Sequence, residues 1–231
     1  MSKKMDLFGR VLYDYWEKGD KSSTLYFIEN KKKKFPVEIS RYFRSYEDLS
    51  NLEKKAISLS RGSILDVGCA TGYHIPALME QGEVDGIDIS EDAIKVAKEN
   101  GIDNCFAGDI FKYIPRKKYD TITLFENNIG LGGTVSKTRR LIKALVRLLK
   151  EDGQILCEIV RTRTVDTWVV LLTPLWNGKK GKSFRWLHFS VNFLSKMCAK
   201  YGLEVEMLEE NEISGNVWSL IRLSNIEGCV I

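Results

Sequence analysis

From residue 63 onwards, short apolar runs alternate with longer stretches in which apolar residues return every three or four positions. The first pattern predicts buried strands and the second amphipathic helices. The predicted strands cover 63–67, 84–88, 105–107, 119–125 and 154–160. The first helix runs from the end of the first strand to about Gln81. The second opens on Ser90-Glu91-Asp92-Ala93, turns Ile94 and Ala97 inward and stops at Gly101. A long helix over 135–150 carries Leu141, Ile142, Leu145, Leu148 and Leu149. Strands separated by helices imply right-handed crossovers, so the chain reads as α/β with a doubly wound, mostly parallel sheet. A helix over 191–201 follows, then strands over 203–208 and 217–223. A polar turn containing Asn211 and Gly215 joins these two strands, which predicts an antiparallel hairpin.

Residues 1–60 have a different texture. Val11 to Trp16 fits a helix or a loop. Residues 24–28 and 35–39 have strand composition around a polar centre, which predicts a small hairpin with Lys31–Lys34 at its turn. Ser45 and Asp48 are placed to cap a helix that carries Leu49, Leu52, Ala56 and Ile57 inward. The division that follows is an N-terminal extension or cap over 1–60 and a domain over 61–231, with an irregular inserted lid at 161–189.

The stretch that organises the chain is Ile64-Leu65-Asp66-Val67-Gly68-Cys69-Ala70-Thr71-Gly72-Tyr73-His74. It reads as a central strand, a small-residue turn and a helix start whose free N–H groups face a ligand. Gly68 permits the turn and Gly72 a close backbone approach. A dinucleotide fingerprint would need glycine at 70 and near 73, where the chain has Ala70 and Tyr73. Asp66 would also repel a diphosphate. The segment resembles the first motif of class I S-adenosylmethionine methyltransferases, usually Asp-x-Gly-x-Gly-x-Gly. Ala70 replaces the middle glycine and adds one methyl, which a negative φ would accommodate. The resemblance spans 63–160 and the last two strands, and implies a seven-stranded Rossmann-like sheet whose last strand inserts antiparallel.

In such a sheet the ligand lies beyond the C-terminal ends of the strands, where strand order reverses. The resemblance therefore implies an S-adenosylmethionine site built from Asp66, Gly68, Cys69, Ala70 and Gly72. Asp88 and Ile89 follow the second strand. The Asp88 carboxylate suits both ribose hydroxyls, or is a plain acid preceding a helix. Asp109 and Ile110 follow the third strand and would meet adenine, unless Asp109 only caps a short helix. Glu126 and Asn127 end the fourth strand, near the transferring methyl. Tyr42 or Arg44 would reach the methionine carboxylate if the aromatic piece 42–46 folds over the cofactor; otherwise it packs the N-terminal helix. His74 reads as packing near the cofactor. His188 and Asn127 are the candidates for proton chemistry, with a core or surface role as the alternative for His188.

Lys plus Arg number 35 and Asp plus Glu 31, a formal net charge of +4. That excess is too mild to demand nucleic acid. The five cysteines are scattered with no Cys-x-x-Cys pair, which argues against a metal site and for reduced thiols. No apolar signal core opens the chain and no apolar run approaches the ~20 residues that span a bilayer. A cytoplasmic protein without a membrane partner is expected; oligomeric state is left open.

The reading that results is a methyltransferase that passes the methyl group of S-adenosylmethionine to a small molecule, leaving S-adenosylhomocysteine. The alternatives are an RNA or protein methyltransferase, for which the basic and aromatic stretch 176–186 is the argument, and a binding module without catalysis. The long segment 161–189 is too apolar for disorder and is expected to select the acceptor, with Arg161 and Arg163 holding an anionic group. A dimer contact or a plain cap over the sheet is the other role for it.

Overall fold

The computed structural model describes residues 6–19, 24–161, 165–213 and 215–226. Helix α1 (Leu7–Lys18) precedes a hairpin of β1 (Leu25–Glu29) and β2 (Lys33–Val37), a 3-10 turn at Ile39–Phe43 and helix α2 (Asn51–Leu59). The alternating region holds β3 (Gly62–Val67), α3 (Ile75–Met79), β4 (Gly82–Asp88), α4 (Glu91–Glu99), β5 (Cys105–Ala107), β6 (Tyr119–Leu124), a 3-10 turn at Asn128–Gly132, α5 (Val135–Leu148) and β7 (Leu149–Arg161). Then come β8 (Thr167–Trp176), β9 (Lys179–Lys180), β10 (Phe184–Phe189), α6 (Val191–Cys198), β11 (Leu203–Ile213) and β12 (Asn216–Asn225).

Seven strands form one sheet in the order β11-β12-β7-β6-β3-β4-β5. The pairs β3–β4, β4–β5, β3–β6 and β6–β7 are parallel. Strand β12 lies antiparallel between β7 and β11. The expected doubly wound, seven-stranded α/β sheet is the one observed, and strand order reverses between β3 and β6. Burial holds it together: Leu65, Ile122, Ile155, Leu141, Leu145 and Ile221 are inaccessible in one cluster, each worth roughly 1.5–3 kcal/mol.

The structure settles or departs from the expectations in four places. Residues 71–74 form turns, and α3 is only Ile75–Met79, because Gly82 must already start β4 against Gly62. Helix α1 settles the choice left open for 11–16, starting at the Asp6 cap and ending at Gly19. Ser45 and Asp48 bond each other at 2.8 Å in a turn, but the helix begins later. Its capping box is Ser50 with Glu53, the longer acid that reaches back to the Ser50 N–H at 2.7 Å.

The fourth difference is the largest. Residues 165–189, expected to be irregular, are built mostly of strands. Strands β8 and β10 pair with the N-terminal hairpin in a second, antiparallel sheet of order β10-β8-β1-β2, with β9 on β8. The side chain of Asn30 in the hairpin turn accepts from the Leu171 N–H at 3.0 Å. The extension and the insertion are therefore one structural layer. Its docking is tight: a Cβ on Gly130 would lie 2.4 Å from the Leu187 carbonyl oxygen, so the turn after β6 needs glycine there for β10 to approach.

Candidate active site

The turn after β3 is the floor of the site. Three alternate residues take left-handed backbone, Gly68 at φ 80°, Ala70 at 49° and Gly72 at 76°. The expectation of a negative φ for Ala70 is thus corrected. Its methyl sits in a region that costs an L-residue roughly 1–2 kcal/mol, and what holds it there is the bond from its N–H to Asp88 Oδ2 at 3.0 Å. Glycine is required at 68 because a Cβ would lie 2.4 Å from the amide nitrogen of Asn128, which donates to the carbonyls of Val67 and Gly68. Cys69 is buried, with its backbone N–H on Ile87, so its side chain faces the core rather than the strand ends.

The carboxylates at the strand ends differ in how fully they are used. Asp66 is buried on β3; its Oδ1 accepts from Thr123 at 2.8 Å, while Oδ2 has no partner among the described residues. Burial pushes its carboxyl above the usual range, against the pull of His74 and Thr123. Asp88 ends β4 and takes the N–H groups of Ala70 and Ser90, one per oxygen, which leaves lone pairs free. Burial raises its pKa as well. Beside it Ile89 is 78% exposed, an unusual state for an isoleucine and one that leaves an apolar surface at the strand end. Asp109 accepts from the Phe111 N–H at 3.0 Å, so it caps its own turn. Ile110 packs on the main core.

At the end of β6, Glu126 and Asn127 are both left-handed, at φ 52° and 60°. Such strain in two adjacent non-glycine residues marks functional sites. The Glu126 N–H is held by the buried Glu158 at 2.8 Å. Burial, and then the charges of Glu53 and Glu126, push the Glu158 carboxyl up to about 8. Asn127 is buried with Oδ1 unpartnered among the described residues, and its Nδ2 lies 3.5 Å from His188 Nδ1. His188 stacks on Trp168 at 4.7 Å. The two candidates for proton chemistry, 61 positions apart, are brought together.

Tyr42 lies over the floor, its carbonyl taking the Thr71 hydroxyl. Arg44 grips both oxygens of Glu53, at 2.7 and 3.1 Å, and reaches Glu126 at 3.0 Å and Tyr73 at 3.3 Å. Glu53 also meets His74 at 2.9 Å. Burial works against the Glu53 carboxylate, but His74, the Ser50 N–H and Arg44 outweigh it and hold it at about 2. His74 stacks on Phe125 at 3.9 Å beneath the site.

Between this network and the antiparallel sheet is a cavity of about 410 Å³. Its rings are Phe27, Phe35, Tyr42 and Tyr73, and its charged groups Glu38, Arg41 and Glu126. Register carries the aromatic face further. Phe27 pairs with Phe35 and, through β8, shares a pleat face with Phe184, Trp186 and His188. Ring centroids run Phe35–Phe27 at 6.2 Å, Phe27–Phe184 at 5.7 Å and Phe184–Trp186 at 6.1 Å. Arg161 is exposed at the last position of β7, opposite Val217, and does not line the cavity. Arg163 lies outside the described residues. Lys179, Lys180 and Lys182 are exposed at the far hairpin. Sequence reasoning missed Phe27, Phe35, Arg41 and Glu53; only Glu53 had a local signal, the Ser50-x-x-Glu53 box.

Among the described residues, no helix is long and apolar enough to cross a membrane. A family model described as a methyltransferase domain matches residues 59–201. A malonyl-[acyl-carrier protein] O-methyltransferase of Acetivibrio thermocellus is 33% identical over 141 residues, 53% of this chain and 47% of that one. The chain spans about half the length of the curated relatives it matches. Among solved structures, an S-adenosylmethionine-dependent methyltransferase from Bacteroides fragilis, in complex with S-adenosyl-L-homocysteine, superposes with a TM-score of 0.87 over 98% of this chain and 97% of that one, at 24% identity. A sugar N-methyltransferase from Streptoalloteichus sp. gives 0.63 over 83% and 94%, at 15% identity. With the reversal of strand order at β3 and β6, the acid-bearing turn after β3 and a family model that takes in most of the sheet, the chain belongs to the methyltransferase-domain family.

Proposed function

We propose that this methyltransferase carries the methyl group of S-adenosylmethionine to a small-molecule acceptor held in the cavity between the antiparallel sheet and the strand ends. The observation that carries the reading is the cavity itself: about 410 Å³, walled by aromatic rings and bounded by the strained end of β6. That is the size and lining of a small-molecule pocket. The sugar N-methyltransferase among the solved structures supports the same reading, while the malonyl-[acyl-carrier protein] O-methyltransferase is named for a group carried on a protein.

The residues fit the donor. The unpartnered Oδ2 of Asp66 and Oδ1 of Asn127 are buried acceptors that suit the ammonium of a methionine moiety. Asp88 keeps lone pairs for ribose hydroxyls, and Ile89 offers an apolar surface for a ring, with Asp109 and Ile110 beyond it. When bound, the donor supplies a methyl group already activated by a positive sulfur. The protein's part is to align and to exclude water. Tyr42 and the antiparallel sheet close the site, Glu126 and Asn127 fix its centre, and His188 beside Asn127 is placed to take a proton from an acceptor that must lose one.

Two measurements test this. S-adenosylhomocysteine should raise the melting temperature while NAD does not. A cell extract incubated with methyl-labelled donor should yield label in compounds of low mass. Label confined to RNA or protein would move the acceptor to another class, and binding without any turnover would leave a cofactor-binding module.

A further inference from the structure

We propose, resting on the small-molecule reading above, that the acceptor is an amine with an apolar body, received by the aromatic cavity and the carboxylates of Glu38 and Glu126. Four rings line this space. The faces of such rings carry negative potential and attract cations, and they do so more strongly when water is excluded. The charged groups add to that bias. Glu38 is exposed at the end of the hairpin, and Glu126 lines the cavity from the turn after β6.

Arg41 is the single cation of the lining, and it is committed: its Nη2 lies 2.7 Å from Glu126 Oε1. Arg44 converges on that same oxygen at 3.0 Å. Both of these bonds fall on Oε1 of Glu126 and neither on Oε2. An anionic acceptor would have to displace Glu126 from Arg41, pass Glu38 and face the rings. An ammonium meets the rings, Glu38 and Glu126, and the Arg41 beside it is already paired with Glu126.

The step balances without a further reactant. The bound ammonium first gives one proton to Glu126 Oε2 and from there to water at the mouth of the cavity, which frees the nitrogen lone pair. That lone pair forms the N–C bond as the C–S bond breaks and its electron pair stays on sulfur. The methylated nitrogen is again a cation, which the rings continue to favour.

The test keeps the body of the ligand constant and varies charge. The full chain, saturated with S-adenosylhomocysteine, is titrated in a calorimeter with benzyltrimethylammonium and with phenylacetate. The cation should bind about tenfold tighter. Glu126→Gln and Phe35→Leu should each reduce that affinity several-fold. Glu38→Gln, at an exposed position outside the Arg44 network, is the variant that keeps the result readable where Glu126→Gln fails to fold. With labelled donor, benzylamine should be methylated in preference to benzyl alcohol and benzoate. Phenylacetate binding as tight as the cation, or tighter and lost in Arg41→Ala, overturns the amine assignment, as does preferred methylation of the alcohol or the acid. Absence of S-adenosylhomocysteine binding is a different failure, that of the donor site itself.

Discussion

The backbone N–H of Ala70 reaches Asp88 Oδ2 at 3.0 Å, and it does so from a left-handed φ of 49°. An L-residue there carries roughly 1–2 kcal/mol of strain, of which glycine's extra chain entropy would return about half. Ala70→Gly should therefore stabilise the protein by about 0.5–1 kcal/mol. A differential scan should show a rise of roughly 1–4 °C. A fall would mean that the alanine methyl contributes packing the backbone angle does not reveal.

Asp88 is held by two backbone donors, one per oxygen, so its position is fixed before a ligand arrives. Asp88→Ala removes both the hydroxyl acceptor and the anchor of the turn. Affinity for S-adenosylhomocysteine should drop by roughly 1.5–3 kcal/mol, the range for hydrogen bonds to a charged group. Equal calorimetric affinities in wild type and variant would rule Asp88 out as the ribose acceptor.

Stability should fall on the alkaline side because of Glu158. Its folded pKa is raised to about 8 from the ordinary 4.5, so between those values the folded state holds the proton more tightly than the unfolded one. The resulting stabilisation is fully present below 4.5 and is lost as pH rises through 8. Glu53 behaves oppositely: its pKa is lowered to about 2, so its contribution is present above 4.5 and is lost as pH falls through 2. Glu158→Gln keeps an oxygen for the Glu126 N–H without the charge. Urea unfolding should show the variant level with wild type at pH 5 and more stable at pH 9; parallel curves across that range would contradict the assignment.

The parallel sheet was legible because each of its strands is a local apolar run, and the β3 turn because it keeps Asp66, Gly68 and Gly72 in fixed spacing. The antiparallel sheet was not. Its pairing joins residues up to 149 positions apart, and no local period reports a distant partner. The alternation Phe184-x-Trp186-x-His188 is a strand signal in itself, but it says nothing about Phe27. The placement of Asn127 beside His188 is a product of that long-range pairing. The αL angle of Ala70 was hidden for a different reason: the residue present is not the one its backbone favours.

Arg44 ties three elements, with Glu53 on α2, Tyr73 on the β3 turn and Glu126 in the turn after β6. Its partner Glu53 is almost inaccessible, and Arg44→Ala would leave that carboxylate only His74 and the Ser50 N–H. The expected cost is about 1.5–3 kcal/mol, the range for hydrogen bonds to a charged group. Arg44→Lys restores the charge without the bidentate fork and should recover only part. Chymotrypsin digestion should show new cleavage after Tyr42, Phe43 or Tyr46 in the alanine variant without ligand, and protection of that segment in wild type. Equal protection in both would mean that Tyr42 and its bond from Thr71 hold the segment alone.

Acceptor selection separates two places on the molecule. Phe35 is half-buried in the cavity wall and touches Phe27, whereas Arg161 is exposed at the β7 edge opposite Val217. Losing a ring contact in a pocket costs roughly 0.5–1.5 kcal/mol beyond area, so Phe35→Ala should raise the acceptor KM about tenfold. Its effect on S-adenosylhomocysteine affinity should stay within about twofold, since the donor groups lie at β3, β4 and β6 and the ring stands on the roof. Arg161→Ala should leave both quantities within about twofold. The two variants measured side by side decide the matter. If Arg161→Ala abolishes turnover while Phe35→Ala is silent, the acceptor enters at the β7–β12 edge and the aromatic cavity serves another ligand.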